Sequence, residues 1–177
     1  IYGAFGYGEG LGYTLHFATN FVFSGLAFAI ASHAGQFNIG AEGQAYIAGL
    51  GAITVGLALD NTSWMLVLPV AMLAAGAIGG FWGFIPGYLA AKRGSHVVIT
   101  TIMFNFIAAA VMVYLMVNVL IKPGQQSPES REFADAAHIP FMHEVFDWFG
   151  IAITRTPLNL TVVWAVICCV LMWFFMW

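Results

Sequence analysis

His33-Ala34-Gly35-Gln36-Phe37-Asn38-Ile39-Gly40-Ala41-Glu42-Gly43-Gln44 stands between two apolar runs, each long enough to cross a bilayer. The stretch holds an imidazole, a carboxylate, carboxamides and three glycines. Polar and ionisable groups at membrane depth are costly, so they normally face protein or a water-filled cavity and mark a functional pathway. Glycine-broken backbone is tolerated at that depth only where protein buries it or it lines such a cavity. The island therefore reads as part of a path for solute, or as a structural joint beside one.

Composition around the island sets the class. Hydrophobic residues make up 61% of the 177 residues, charged residues 7%, and the mean hydropathy is +0.88. Soluble domains carry about 25% charged residues, so this chain lacks the charge to cover a water-facing surface. A polytopic membrane protein follows. The net charge of −3, with no basic patch, speaks against nucleic-acid binding. Cys168 and Cys169 are adjacent in an apolar run and read as small packing residues rather than a disulfide or metal site.

Apolar length gives about five spans, near residues 13–32, 41–59, 64–91, 97–121 and 158–177. The expected fold is all-α: one polytopic transmembrane helical bundle over residues 1–177, with a helix broken near 35–44. Residues 1–12 are Gly- and aromatic-rich and read as an interfacial loop or the end of an earlier span. His16 and Asn20 then fall near the headgroups at the start of the first run. Asp60-Asn61-Thr62-Ser63 is a tight polar turn. The third run is longer than a perpendicular span needs, and Pro86 offers a kink. Gly79, Gly83 and Gly87 recur every four residues, a spacing that lets two membrane helices approach closely.

Lys92-Arg93 is the sole basic pair. Short basic loops stay on the cytoplasmic side, which places the 60–63 turn and residues 1–12 outside and the island toward the cytoplasmic half. In the fourth run Thr101 and Asn105 share a helix face. Two readings stay open for its threonines: bonding back to their own helix's carbonyls, or a polar stripe facing a pore. Residues 122–157 form an external loop with most of the acidic residues, and 141–151 suggest a short amphipathic helix at the outer surface. The start at Ile1 and the stop at Trp177 inside an apolar run are those expected of a piece of a longer polypeptide. The first dozen residues carry Glu9 and no Lys or Arg, so no signal-peptide n-region is present there.

No G-x-x-x-x-G-K-[ST] occurs, so no phosphate-cradling loop is expected on this chain. Neither H-E-x-x-H nor G-x-S-x-G occurs, and His138 and His143 form only a weak metal signal. No nucleophile–base pair stands at catalytic spacing, so the chain is not expected to be an enzyme.

Phe37 through Gln44 closely resembles the FNIGAEGQ signature of bacterial ABC-importer permeases of the branched-chain amino acid and simple-sugar superfamily. Pro86-Gly87-Tyr88-Leu89-Ala90-Ala91-Lys92-Arg93-Gly94, followed by Val98-Ile99-Thr100-Thr101-Ile102-Met103-Phe104-Asn105, is similar to a second signature of the nucleoside and simple-sugar branch. Gln126-Ser127-Pro128 matches the external loop that follows. His96 departs, standing where the branch commonly has Asn or an acidic residue. The resemblance leads one to expect the family's ATPase-docking segment in a C-terminal half outside this stretch of sequence.

The resemblance implies an inner-membrane importer subunit for nucleosides or simple sugars. It implies a second, homologous or identical permease subunit, an ATP-binding cassette subunit and a substrate-binding lipoprotein. ATP would be used by the partner, with no cofactor bound here. Asn38, Glu42, Gln44, Thr100, Thr101 and Asn105 would line or buttress the solute path, and Gly79, Gly83 and Gly87 would pack helices. Glu42 has an alternative, preferred role: bonding the free amides at the broken helix, where negative charge is favoured. Two other classes remain, a secondary transporter built on broken helices and an intramembrane enzyme.

Overall fold

The computed structural model describes residues 2–134 and 138–176. The expectations for the loop at 122–157 and the run at 158–177 therefore include positions outside the described residues. Among the described residues there are seven helices and no strand, only two isolated bridges. They are α1 (Tyr2–Phe5), α2 (Gly8–His33), α3 (Ala41–Leu59), α4 (Trp64–Arg93), α5 (Val97–Asn118), α6 (Met142–Asp147) and α7 (Thr161–Met176). The all-α helical bundle expected from composition is what forms.

By length and composition α2, α4 from Met65, and α5 suffice to cross a membrane. α3 has 19 residues, about 28 Å at 1.5 Å per residue, but Glu42 and Gln44 make its first turn polar. Large apolar side chains point outward along these helices: Phe21, Leu73, Phe81, Phe106 and Phe175 are each more than half exposed. Continuous apolar surface of that kind is not tolerated in water; lipid is the solvent it fits.

Two compact units form. One comprises residues 1–34 with 139–177, the other Gly35–His138. In the first, the interfacial-loop alternative for residues 1–12 is corrected, while the helical one is not. Tyr2–Phe5 is helical, and α2 begins at Gly8, five residues before the apolar run does. Glycine is used there for close approach. A Cβ on Gly10 would run into the Gly3 carbonyl oxygen, and one on Gly12 would sit 2.5 Å from Thr156 Cγ2. The earlier start moves His16 and Asn20 into the third and fourth turns of α2, away from the helix start expected for them. The amphipathic segment expected at 141–151 forms its helix over Met142–Asp147. Glu144 accepts from the Phe141 backbone N–H at 2.9 Å.

In the second unit, α3 packs on both α4 and α5. Moving up α4, its partners move down α3: Gly51 meets Ala74 and Ile78, Ala48 meets Gly79, and Gln44 meets Gly83. The two helices are antiparallel. α3 and α5 keep a constant offset of 62 residues, Ile39 with Thr101 and Gly43 with Asn105, and so run parallel. Ile47, Leu50 and Ala108 are buried where the helices meet, with Trp82, Val111, Met112 and Leu115 packed around them. α4 is assigned as one continuous helix through Pro69 and the buried Pro86, and it takes Lys92 and Arg93 into its last turn rather than leaving them in the loop. Cations are favoured at a helix C-terminus. Gly94 then ends the helix at φ +66°, a left-handed conformation in which glycine carries no Cβ penalty.

Of the expected glycine ridge, Gly79 and Gly83 do face α3. Gly87 does not join them: a Cβ there would meet nothing within 4 Å. Its place on the register falls opposite the irregular chain before α3, where no helix remains to pack against.

Candidate functional site: the polar joint before α3

α2 ends at His33, and its terminal Ala34 N–H reaches the Ile30 carbonyl at 3.2 Å. Gly35 takes φ +72°, which turns the chain out of the helix. Helical structure resumes at Ala41. The start of α3 leaves free amides that need acceptors. Asn38 supplies one within the joint, its Oδ1 accepting from the Gly40 N–H at 2.7 Å. This is the local turn that Asn favours.

The remaining partners come from α5. Thr101, 1% exposed, has a hydroxyl that accepts from the Ile39 N–H at 3.3 Å and donates to the Val98 carbonyl at 3.1 Å. Asn105 Nδ2 donates to the Ile39 carbonyl at 3.0 Å, and its Oδ1 accepts from the Gly43 N–H at 2.9 Å. Asn105 is thus an N-cap for α3 delivered from a neighbouring helix. Both halves of its carboxamide are satisfied, and both grip the same five residues.

Two glycines make this grip possible. A Cβ on Gly43 would lie 2.8 Å from Asn105 Oδ1 and 2.9 Å from Asn105 Cα. One on Gly40 would lie 2.8 Å from Asn38 Oδ1 and 3.2 Å from Thr101 Cβ. Gln44 lies over Gly83, with its Nε2 2.8 Å from the position a Cβ would take there. Asn38, Gln44, Thr101 and Asn105 therefore gather around Gly40 and Gly43.

Two predicted residues stand apart. Thr100 bonds back to the His96 carbonyl at 3.1 Å, the self-satisfying alternative left open from sequence. Glu42 is exposed and accepts from the Tyr46 hydroxyl at 3.0 Å, one turn along α3. The amide-capping role preferred for Glu42 is filled by Asn105 instead, because a neighbouring side chain already occupies the Gly43 N–H.

Position follows from helix geometry. Asn105 is eight residues into α5, about 12 Å along it, and Gly83 is ten residues before the end of α4, about 15 Å. The joint thus packs against α4 and α5 well inside the length of both helices. Two clefts lie away from the joint. One of ≈ 620 Å³ runs along α5 at Ala109, Val113 and Val117. One of ≈ 300 Å³ lies between α2 and α7 at Leu26, His33, Cys169 and Trp173.

Sequence reasoning missed the far end of α3. Asp60 is buried and forms an ion pair with Arg131, whose Nη2 also donates to the Leu57 carbonyl at 2.8 Å. Phe133 packs on Gly56, its Cε1 2.7 Å from where a Cβ would be. The only sequence signal was an Asp at the end of an apolar run and an Arg in a loop 71 residues away.

A helical bundle with outward-facing apolar helices and a polar, side-chain-capped helix break between them has the build of a membrane transport protein. The chain belongs to the branched-chain amino acid transport system / permease component family, whose family model matches residues 10–177. It is 38% identical over 172 residues, 97% of this chain and 47% of the relative, to the guanosine ABC transporter permease protein NupP of Bacillus subtilis. It is 36% identical over 104 residues, 59% of this chain and 29% of the relative, to the nucleoside ABC transporter permease protein NupB of Lactococcus lactis. It is 34% identical over 123 residues, 70% of this chain and 32% of the relative, to the glucose ABC transporter permease protein TsgB13 of Haloferax volcanii. The chain spans about half the length of NupP. No solved structure matches. With membership of that permease family go three helices, among the described residues, that are long and apolar enough to cross a membrane.

Proposed function

We propose that this chain is part of the membrane-spanning subunit of an importer that moves nucleosides or simple sugars inward, driven by a separate ATP-binding cassette subunit. Solute is delivered by a substrate-binding lipoprotein, and a second permease subunit, homologous or identical, completes the path. The observation that carries this reading is the polar helix break before α3, capped by Asn105, in a chain of this family. The named solutes of the relatives, guanosine, nucleosides and glucose, support a hydroxyl-rich cargo, which carboxamides and hydroxyls suit.

Within that reading the six polar residues divide. Asn38, Gln44, Thr101 and Asn105 shape the joint and hold it to α5. Glu42, exposed beside Tyr46, is the group left to face solute, and Thr100 supports its own helix. Each partner shifts the joint only through a different affinity for its alternative states.

The test is uptake of radiolabelled nucleoside and of sugar by proteoliposomes holding the full-length protein with its co-purified neighbours. Uptake that requires ATP and the receptor is expected. Uptake that ignores ATP and collapses with an ion gradient would instead make this a secondary transporter. Recovery of the protein without any nucleotide-binding subunit would count against the reading as well.

A further inference from the structure

α3 is capped at both ends by side chains that belong to other parts of the chain. At its start, Asn105 of α5 holds Ile39 and Gly43. At its finish, Arg131 lies 13 residues beyond the end of α5. It binds the Leu57 carbonyl in the last turn and the carboxylate of Asp60 just past it. The loop that presents Arg131 is itself braced. Ile121 and Ser130 form an antiparallel bridge, Gln125 Nε2 donates to Glu129 Oε2 at 3.0 Å, and Gly124 turns the chain at φ +86°.

The burial is asymmetric in a way that fixes the pair's behaviour. The Asp60 side chain is 3% exposed, while Arg131 is 50% exposed. Asn61 Nδ2 holds the other carboxylate oxygen at 3.1 Å. Withdrawing Arg131 would leave a buried carboxylate without its counter-charge, the costly way to break an ion pair. A guanidinium at a helix C-terminus also meets the negative end of the helix dipole. Phe133 on Gly56 adds an apolar contact beside the pair.

We propose that Asp60 and Arg131 are positioning residues for transport: their pair stays shut through the whole cycle and, with Asn105, makes α3 and α5 one rigid body. Movement at the polar joint is then carried without slack to the far end of α3. This rests on the transport reading above but adds residues and a constraint that the reading does not contain.

The experiment uses the full-length protein in its complex, with Cys168 and Cys169 replaced by Ala. In a Gly56→Cys/Phe133→Cys variant, a short bifunctional thiosulfonate joins the loop that carries Arg131 and Phe133, the strap, to α3. Cross-linked transporter is expected to keep uptake within about twofold of the same variant left unlinked, since the link forbids only what the pair already forbids. A cross-link-dependent loss of about tenfold or more overturns the proposal, because the strap must then open. Hydrogen exchange reads the strap whether or not solute moves. Arg131→Ala is expected to speed exchange of the amides of residues 56–62 by about tenfold, with Arg131→Lys in between. Unchanged exchange in Arg131→Ala overturns it too. A complex that moves no solute even unmodified sinks the transport reading, while the exchange result still judges the strap.

Discussion

Asn105 has a single carboxamide and commits both ends of it to the same turn of chain. Its acceptor meets the Gly43 N–H and its donor meets the Ile39 carbonyl. Backbone groups packed among membrane helices have little water to fall back on, so each partner lost there is felt. Asn105→Ala strips partners from both, at about 1–3 kcal/mol for each group left unsatisfied. Thermal unfolding in detergent is expected to drop by several degrees. Asn105→Asp keeps the acceptor, loses the donor, and should fall between. An alanine variant as heat-stable as the parent would remove the cap from the account. Glu42 makes the opposite case. It is exposed and bonded only one turn along its own helix, so Glu42→Gln and Glu42→Ala are both expected to fold and extract at parental levels. Their effect belongs to solute uptake. A folding defect in Glu42→Ala that Gln repairs would restore the structural role that Asn105 now fills.

At the scale of elements, the α3–α4 contact is set by which glycines meet a neighbour. A Cβ on Gly79 would lie 2.8 Å from Ala48 Cβ and 3.3 Å from the Gln44 carbonyl oxygen, neither of which can swing away. Gly79→Ala is therefore expected to push the helices apart and destabilise by about 1–3 kcal/mol. Gly87 has open space. Alanine there gains the helix preference that glycine lacks, about 0.5–1 kcal/mol, with no clash within the chain. Matched melting curves of the two variants should move in opposite directions. Equal shifts would mean that the register between α3 and α4 is other than described.

At the scale of the molecule, parallel α3 and α5 and antiparallel α4 put the 60–63 turn and the loop after α5 at one end of their unit. Lys92 and Arg93 lie at the other. The Asp60–Arg131 pair is an independent check on that arrangement, since it joins the two loops that must share a side. With basic residues held inside, a cysteine at Asn61 or Ser127 should label with a membrane-impermeant maleimide on intact cells, and one at Gly94 only after permeabilisation. The reverse pattern would invert the orientation while leaving the helix packing intact.

Much of this was legible in the chain before any coordinates. Too few charges and repeated apolar runs of spanning length force a helical membrane bundle, because a backbone in lipid must satisfy itself internally. Glycine and polar residues at 33–44 mark where that regularity fails. Thr101 and Asn105 were visible as one face, because helical spacing is a local property. The partner of that face was not. The hydrogen bonds that Gly43 donates to Asn105 and Arg131 donates to Leu57 join residues more than sixty positions apart. Nothing in local periodicity says which free amide a distant carboxamide will reach. The same limit explains why Gly87 looked like part of a ridge and Glu42 looked like a cap. Sequence spacing determined what each helix could offer; only tertiary packing decided which offers had a neighbour, since contact depends on where other helices end.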